Sequence, residues 1–267
     1  MNYLEKIVAR KREIVAELKR TQPISMLERQ LGDAPKALPF AQSIRRRNGI
    51  IAEFKRQSPS KGLIHTGNIT PKDVVPQYEQ AGVSAISCLT DTDFFGGTLA
   101  DLREAVASVN IPVLRKDFVI DEYQIVEARA NGASAILLIA AILTRDEVKR
   151  FASLAKSLGM EVLLELHGED ETDYVTDGVT VAGINNRDLR TFEVDIERSI
   201  RVSHLLPNEM PRISESGIRT IDEMIHLRSE GFDGFLIGET FMKSENPGAT
   251  CIDFCNKYSI AWKNAVK

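Results

Sequence analysis

Eight short apolar runs recur along the chain, and their spacing constrains the fold more than any other feature. They are Ile50–Phe54, Ala85–Leu89, Val113–Arg115, Ala135–Ile139, Val162–Leu166, Val181–Ile184, Arg212–Ser214 and Gly234–Ile237. Successive runs start roughly 20 to 35 residues apart, room for one helix and its turns each time. The runs are continuous and not alternating, as strands buried on both faces require. Helix starts lie between them: Thr70-Pro71 places proline in a first turn, and Thr144-Arg145-Asp146-Glu147 and Thr220-Ile221-Asp222-Glu223 resemble capping boxes. Gly82, Gly132, Gly159 and Gly231 stand where those helices would end. Eight strand–helix units predict an α/β fold, a (β/α)8 TIM barrel. A doubly wound open sheet would need a Gly-x-Gly-x-x-Gly fingerprint after an early strand, and none occurs.

The first strand begins only at Ile50. Before it, Leu4, Ile7, Val8, Ile14, Val15 and Leu18 recur at helical spacing among charges, which predicts an amphipathic helix. A shorter helix over Ser25–Gln30 is expected next, and Pro35 and Pro39 punctuate a connection. No linker sets this region apart. Residues 1–267 therefore read as a single domain, with 1–48 an N-terminal helical extension that either closes the bottom of the barrel or folds over its top.

Composition narrows the partners. A net charge of −4 and a pI near 5.7 give no broad attraction for nucleic acid or anionic membrane, and Arg45-Arg46-Arg47 reads as a solvated helix end. Cys88, Cys251 and Cys255 lack metal-site spacing and suit reduced, buried thiols. The N-terminus is charged from Glu5 onward, which argues against a signal peptide, and the apolar run Ala133–Leu143 is too short for a bilayer. A cytoplasmic protein is expected, a monomer or weak homodimer with a small-molecule partner.

A barrel of this kind carries its chemistry at the C-terminal strand ends. The first run ends Glu53-Phe54-Lys55, two charges on one strand face, followed by Ser58 in a Ser-Pro-Ser-Lys-Gly loop; the pair suits either a surface ion pair or a catalytic mouth. The third ends Lys116-Asp117-Phe118, the fifth Glu165-Leu166-His167, the sixth Asn185-Asn186-Arg187-Asp188 and the seventh Ser214-Glu215-Ser216-Gly217. Lys55, Lys116, Glu53, Glu165 and Glu215 would share one cleft, where mutual charge and desolvation can separate acids from bases. Main-chain N–H groups of Ser216-Gly217 and Gly238-Glu239 can bind a phosphate; each glycine taken singly better suits a plain turn, and two at adjacent strand ends favour the phosphate. Phe94, Phe95 and Phe118 fit an aromatic pocket or a loop core alike. The four histidines form no His-x-His or His-Glu-x-x-His pattern, so no metal site is expected.

The strings Glu53-Phe54-Lys55-Arg56-Gln57-Ser58-Pro59-Ser60, Leu114-Arg115-Lys116-Asp117-Phe118, Leu164-Glu165, Gly183-Ile184-Asn185-Asn186-Arg187-Asp188-Leu189, Ser214-Glu215-Ser216-Gly217-Ile218 and Phe235-Leu236-Ile237-Gly238-Glu239 together resemble indole-3-glycerol-phosphate synthase, an enzyme of tryptophan biosynthesis. The likeness runs to about Met242. It implies a cofactor-free conversion of 1-(2-carboxyphenylamino)-1-deoxyribulose 5-phosphate to indole-3-glycerol phosphate, with loss of carbon dioxide and water. It further implies Lys116 as general acid, Lys55 on the substrate carboxylate and a phosphate edge, and Glu53 and Glu165 in the dehydration. Asn185 and Glu215 would contact hydroxyls or hold the lysines, with Arg187 in support. Ser58, Ser216, Gly217, Gly238 and Glu239 would bind phosphate, the last through its main chain with the carboxylate turned away. Phe95, Phe118 and Leu189 would pack on the anthranilate ring. No fused isomerase domain is expected. The competing readings are another phosphate-binding barrel enzyme, such as a phosphoribosyl isomerase or an epimerase, and a non-catalytic sugar-phosphate sensor.

Overall fold

Each of the eight apolar runs forms a strand. In the computed structural model, which describes residues 3–188 and 193–266, they are β1 (Ile50–Phe54), β4 (Ala85–Leu89), β5 (Val113–Lys116), β6 (Ala135–Ile139), β7 (Glu161–Leu166), β8 (Val181–Asn185), β9 (Arg212–Glu215) and β10 (Gly234–Ile237). All pair in parallel and close into a barrel, β10 returning to β1 with Ala52 opposite Ile237. The chain is a (β/α)8 TIM barrel. Two further short strands, β2 (Gln57–Ser58) and β3 (Gly62–Leu63), make an antiparallel hairpin above β1.

Four strands run one residue past their apolar stretch: Lys116, Glu161, Asn185 and Glu215 are polar yet stay in register with neighbours, Lys116 opposite Leu89 and Asn185 opposite Glu215. The outward faces of the strands pack beneath α4 (Pro71–Gln80), α6 (Leu99–Ser108), α7 (Glu122–Ala130), α8 (Arg145–Ser157), α9 (Ile196–Ser203), α10 (Ile221–Ser229) and α12 (Pro247–Ala265). Two one-turn helices, α5 (Thr92–Phe95) and α11 (Glu239–Met242), sit directly after β4 and β10. Capping boxes start α8 at Thr144 and α10 at Thr220 as expected, and a third, Thr70 with Asp73, starts α4.

The N-terminal helices take both of the positions open to them. Helix α1 (Tyr3–Thr21) crosses the top, where the buried Lys11 ammonium lies 2.7 Å from Asp91 and from Asp117, residues just beyond β4 and β5. Helix α2 (Ile24–Gln30) packs Leu27 against Tyr123 and Val126 of α7. Helix α3 (Phe40–Arg46) plugs the bottom: Phe40 and Ile44 join Ile51, Leu114, Leu163 and Ile213 inside the barrel. Its first N–H groups, on Phe40 and Ala41, donate to the Glu161 carboxylate at 3.0 and 2.8 Å. An acid at a helix N-terminus satisfies orphan donors and opposes the dipole. Burying the Phe40 side chain adds about 1.5–3 kcal/mol. Among the described residues, no helix is long and apolar enough to cross a membrane.

Candidate active site

Side chains alternate along a strand, so one parity fills the barrel. On that parity Ile51, Leu114, Leu163, Val181, Ile213 and Leu236 form an apolar floor. The next inward positions up are Glu53, Lys116, Glu165, Gly183 and Glu215, with Lys55 and Asn185 one step higher on their strands. The chain thus switches from apolar to ionisable at one level of the barrel. Above it opens a cavity lined by these charged groups and by Ser58, Phe95, Phe118, Arg187, Ser216, Gly217, Gly238 and Glu239. Every site residue expected from the sequence lines that cavity, except Leu189, which lies outside the described residues.

Lys116 is central. Its Nζ is 3.3 Å from Glu165 Oε2 and 3.6 Å from Glu215 Oε2. Burial disfavours the ammonium, but Glu165, Glu215 and Glu53 outweigh it and hold its pKa above the ordinary lysine value. The two carboxylates then part company. Burial pushes both up, but Glu165 also meets His167 and the Asn185 amide, whose Nδ2 donates to Oε1 at 3.2 Å, and so titrates far below the usual range. Glu215 has a buried Oε1 without a partner and anionic neighbours, and is pushed up to about 8. Beside one ammonium, one carboxyl is thus held low and the other high.

Glu53 and Lys55 form the second pair, Nζ to Oε1 at 2.6 Å. Ser87 Oγ donates to the other Glu53 oxygen at 3.2 Å. Burial raises the Glu53 carboxyl, but Lys55 and Lys116 overturn that and leave it low. A single carboxylate therefore feels both lysines. Next in sequence after Lys55, Arg56 turns outward to a two-pronged pair with Asp101, both contacts 2.8 Å, anchoring the loop after β1 to α6.

Across the cavity, Ser216 (φ 67°) and Gly217 (φ 75°) are both left-handed, and a non-glycine there is uncommon. Consecutive turns of this kind expose main-chain N–H groups toward an anion. A buried strut holds the bend: Asn186 Nδ2 donates to the Ser216 carbonyl at 2.8 Å and to Ser214 Oγ at 2.9 Å, and Ser199 Oγ donates to Asn186 Oδ1. At Gly238 a Cβ would come within 2.8 Å of Glu53 Oε1 and 2.9 Å of its Cβ, so glycine leaves the Glu53 side chain its place. The Glu239 side chain has no ion-pair partner among the described residues. Phe95 and Phe118 stack tilted at 5.9 Å in the cavity, whereas Phe94 turns to Tyr3 of α1 at 5.8 Å. Arg187 N–H donates to Asn185 Oδ1 at 3.0 Å.

Comparison with known proteins gives the family. Residues 4–253 match the family model for indole-3-glycerol phosphate synthase. The chain belongs to the indole-3-glycerol phosphate synthase family. Proteins of that name from Bacteroides thetaiotaomicron and Chloroherpeton thalassium are 45% and 42% identical to it, over 94% and 93% of this chain and 96% and 98% of theirs. A chain of the tryptophan synthase α2β2 complex from Pyrococcus furiosus superposes with a TM-score of 0.57 at 12% identity, over 80% of this chain and 98% of its own, a likeness of fold alone.

This indole-3-glycerol phosphate synthase barrel also uses residues that sequence reasoning passed over. Tyr3, Leu4 and Ile7 of α1 line the cavity, so the first helix is part of its wall. Leu4 and Ile7 lay on the apolar stripe already identified, but nothing local said what that stripe would cover. Asn186 and His167 support the site from behind; both stand beside residues singled out in the sequence.

Proposed function

We propose that this cleft performs the ring-closing decarboxylation and dehydration of 1-(2-carboxyphenylamino)-1-deoxyribulose 5-phosphate to indole-3-glycerol phosphate, with Lys116 as general acid. The observation that carries the reading is an ammonium kept charged by flanking carboxylates at the floor of a cavity with amides on one side and aromatic rings on another. As the aromatic carbon attacks the ketone, charge builds on its oxygen, and the Lys116 proton neutralises it. Loss of carbon dioxide restores the aromatic ring. Dehydration then needs one proton removed from carbon or nitrogen and another delivered to the hydroxyl: the ionised Glu53 and Glu165 serve as acceptors, and the Lys55 ammonium paired with Glu53 at 2.6 Å supplies the proton. Substrate, indole-3-glycerol phosphate, carbon dioxide and water balance without an external oxidant or reductant, so no cofactor enters the scheme.

Lys55 reaches the substrate carboxylate and a phosphate edge. Ser58 and the main chain at Ser216, Gly217, Gly238 and Glu239 hold the phosphate, whose binding energy positions the reacting carbons. Phe95 and Phe118, side by side, pack on the anthranilate ring. Asn185 and Glu215 steady the lysines and hydroxyls, and Arg187 braces Asn185. The working form in this reading is a monomer or weak homodimer. Residues 1–267 act as one domain with 1–48 as an extension built into it, since α1 walls the cavity and α3 plugs the barrel. Three buried free thiols fit a reducing, cytoplasmic setting.

Mixing the purified protein with the carboxyphenylamino-deoxyribulose phosphate tests the reading. Indole fluorescence should appear as carbon dioxide is released. Consumption without carbon dioxide would point to an isomerase or epimerase, and tight binding without turnover to a sensor; either outcome overturns the proposal.

A further inference from the structure

His167 is a partly buried imidazole outside the cavity and directly behind one of its carboxylates. Its Nε2 lies 3.2 Å from Glu165 Oε1, and its Nδ1 lies 3.6 Å from Glu171 Oε2. Glu171, on the short 3-10 turn Glu169–Tyr174, also accepts the His167 main-chain N–H at 2.6 Å, so ring and backbone are gripped together. The ring thus stands between two carboxylates. Neither ring nitrogen makes a well-aligned hydrogen bond, and both carboxylates stand at salt-bridge distance. The other Glu165 oxygen faces Lys116.

We propose that His167 is a positioning residue for the reaction: its imidazolium, steadied from outside by Glu171, holds Glu165 as an anion turned toward Lys116. The inference rests on the reading of Glu165 as a dehydration residue and makes it the proton acceptor of that step. Glu215 is the internal contrast, since it meets the same ammonium without a histidine behind it. The groups facing Glu165 are Lys116 from β5, Asn185 from β8 and Glu215 from β9; His167 pairs with Glu165 and Glu171 alone among the described residues. Burial on its own would lower the His167 pKa, but the two carboxylates outweigh it and raise it to about 10.

Three variants and one direct measurement test this. His167→Gln should lower kcat by about 10- to 100-fold, with KM changed by less than about threefold. Glu171→Gln, at a partly exposed position, should lower kcat in the same way by less, again with KM nearly unchanged. A purely structural role would lower thermal stability and leave the kcat of the folded variant near normal. If both variants turn over like the unaltered enzyme while Glu165→Gln is inactive, this inference alone falls. If Glu165→Gln keeps normal turnover, the role of Glu165 falls and this proposal with it. Should His167→Gln fail to fold, 15N-histidine NMR of the unaltered enzyme decides: one of the four imidazoles doubly protonated at about pH 8 supports the proposal, and four neutral rings overturn it.

Discussion

Lys116 Nζ and Glu165 Oε2 face each other at 3.3 Å across the floor of the cavity, one from β5 and the other from β7. The inward parity of two strands puts them there, above Leu114 and Leu163. An ammonium so placed stays charged until an alkoxide forms beside it. Lys116→Met should therefore reduce kcat by at least about 10³-fold while circular dichroism and the melting temperature show a folded barrel. Near-normal turnover in that variant would remove Lys116 from the mechanism.

Glu53 is the carboxylate that both lysines share. Glu53→Gln keeps its shape but withdraws the charge that orients Lys55 at 2.6 Å. A loss of about 10²- to 10⁴-fold in kcat is expected. Inorganic phosphate should still compete with substrate in this variant at tens of millimolar, roughly, because the amides at Ser216 and Gly217 are untouched. Joint loss of turnover and phosphate competition would mean that Glu53 supports the fold and not the chemistry.

Glu215 makes the stability of the protein depend on pH in a definite sense. Its carboxyl titrates near 4.5 when unfolded and is pushed up to about 8 in the barrel. The native state thus holds a proton that the unfolded state releases, and stability falls as pH rises between those two values. His167, raised to about 10, adds a slope of the same sign from about pH 6.5 upward. Glu165 and Asp117, both depressed, act only in acid. Urea unfolding of Glu215→Gln at a series of pH values should give a flatter profile between about pH 5 and 8 than the unaltered protein. Parallel profiles would show that Glu215 is ionised throughout.

Most of the barrel was legible because strands buried on both faces leave continuous apolar runs, and all eight were found within a residue of their ends. The missing residues were Lys116, Glu161, Asn185 and Glu215, whose polar side chains hide the fact that their backbones stay in the ladder. Helix α3 was legible only at its end, in Arg45-Arg46-Arg47: the stretch from Phe40 has no strong pattern, and what fixes it is Glu161, far along the chain. The hairpin of β2 with β3 and the one-turn helix α5 are likewise too short to mark a sequence. The cavity residues could be read because a strand's inward parity and its C-terminal end jointly define a place in a barrel. Their supports could not, since Asn186, His167 and Lys11 earn their roles from partners on other elements.

Lys11 is the sharpest case. On the helical pattern of α1 it reads as one more charge, yet it is only 4% exposed. Asp91 and Asp117 outweigh the burial that would discharge it and hold it protonated. Asp117 has Arg115 as a second cation at 3.0 Å, whereas Lys11 is the one cation paired with Asp91 among the described residues. Lys11→Met leaves that buried carboxylate uncompensated, which costs about 3–5 kcal/mol. In the unaltered protein the depressed Asp117 makes stability fall as pH drops below its unfolded value near 3.8. In the variant, protonation relieves the unpaired charge, so the gap between the two proteins should narrow as pH falls from about 7 to 4. Because α1 also carries Tyr3, Leu4 and Ile7 into the cavity wall, KM should rise more than kcat falls. A stability gap independent of pH, with an unchanged KM, would mean that α1 is held by its apolar stripe and that the buried lysine does not seat it.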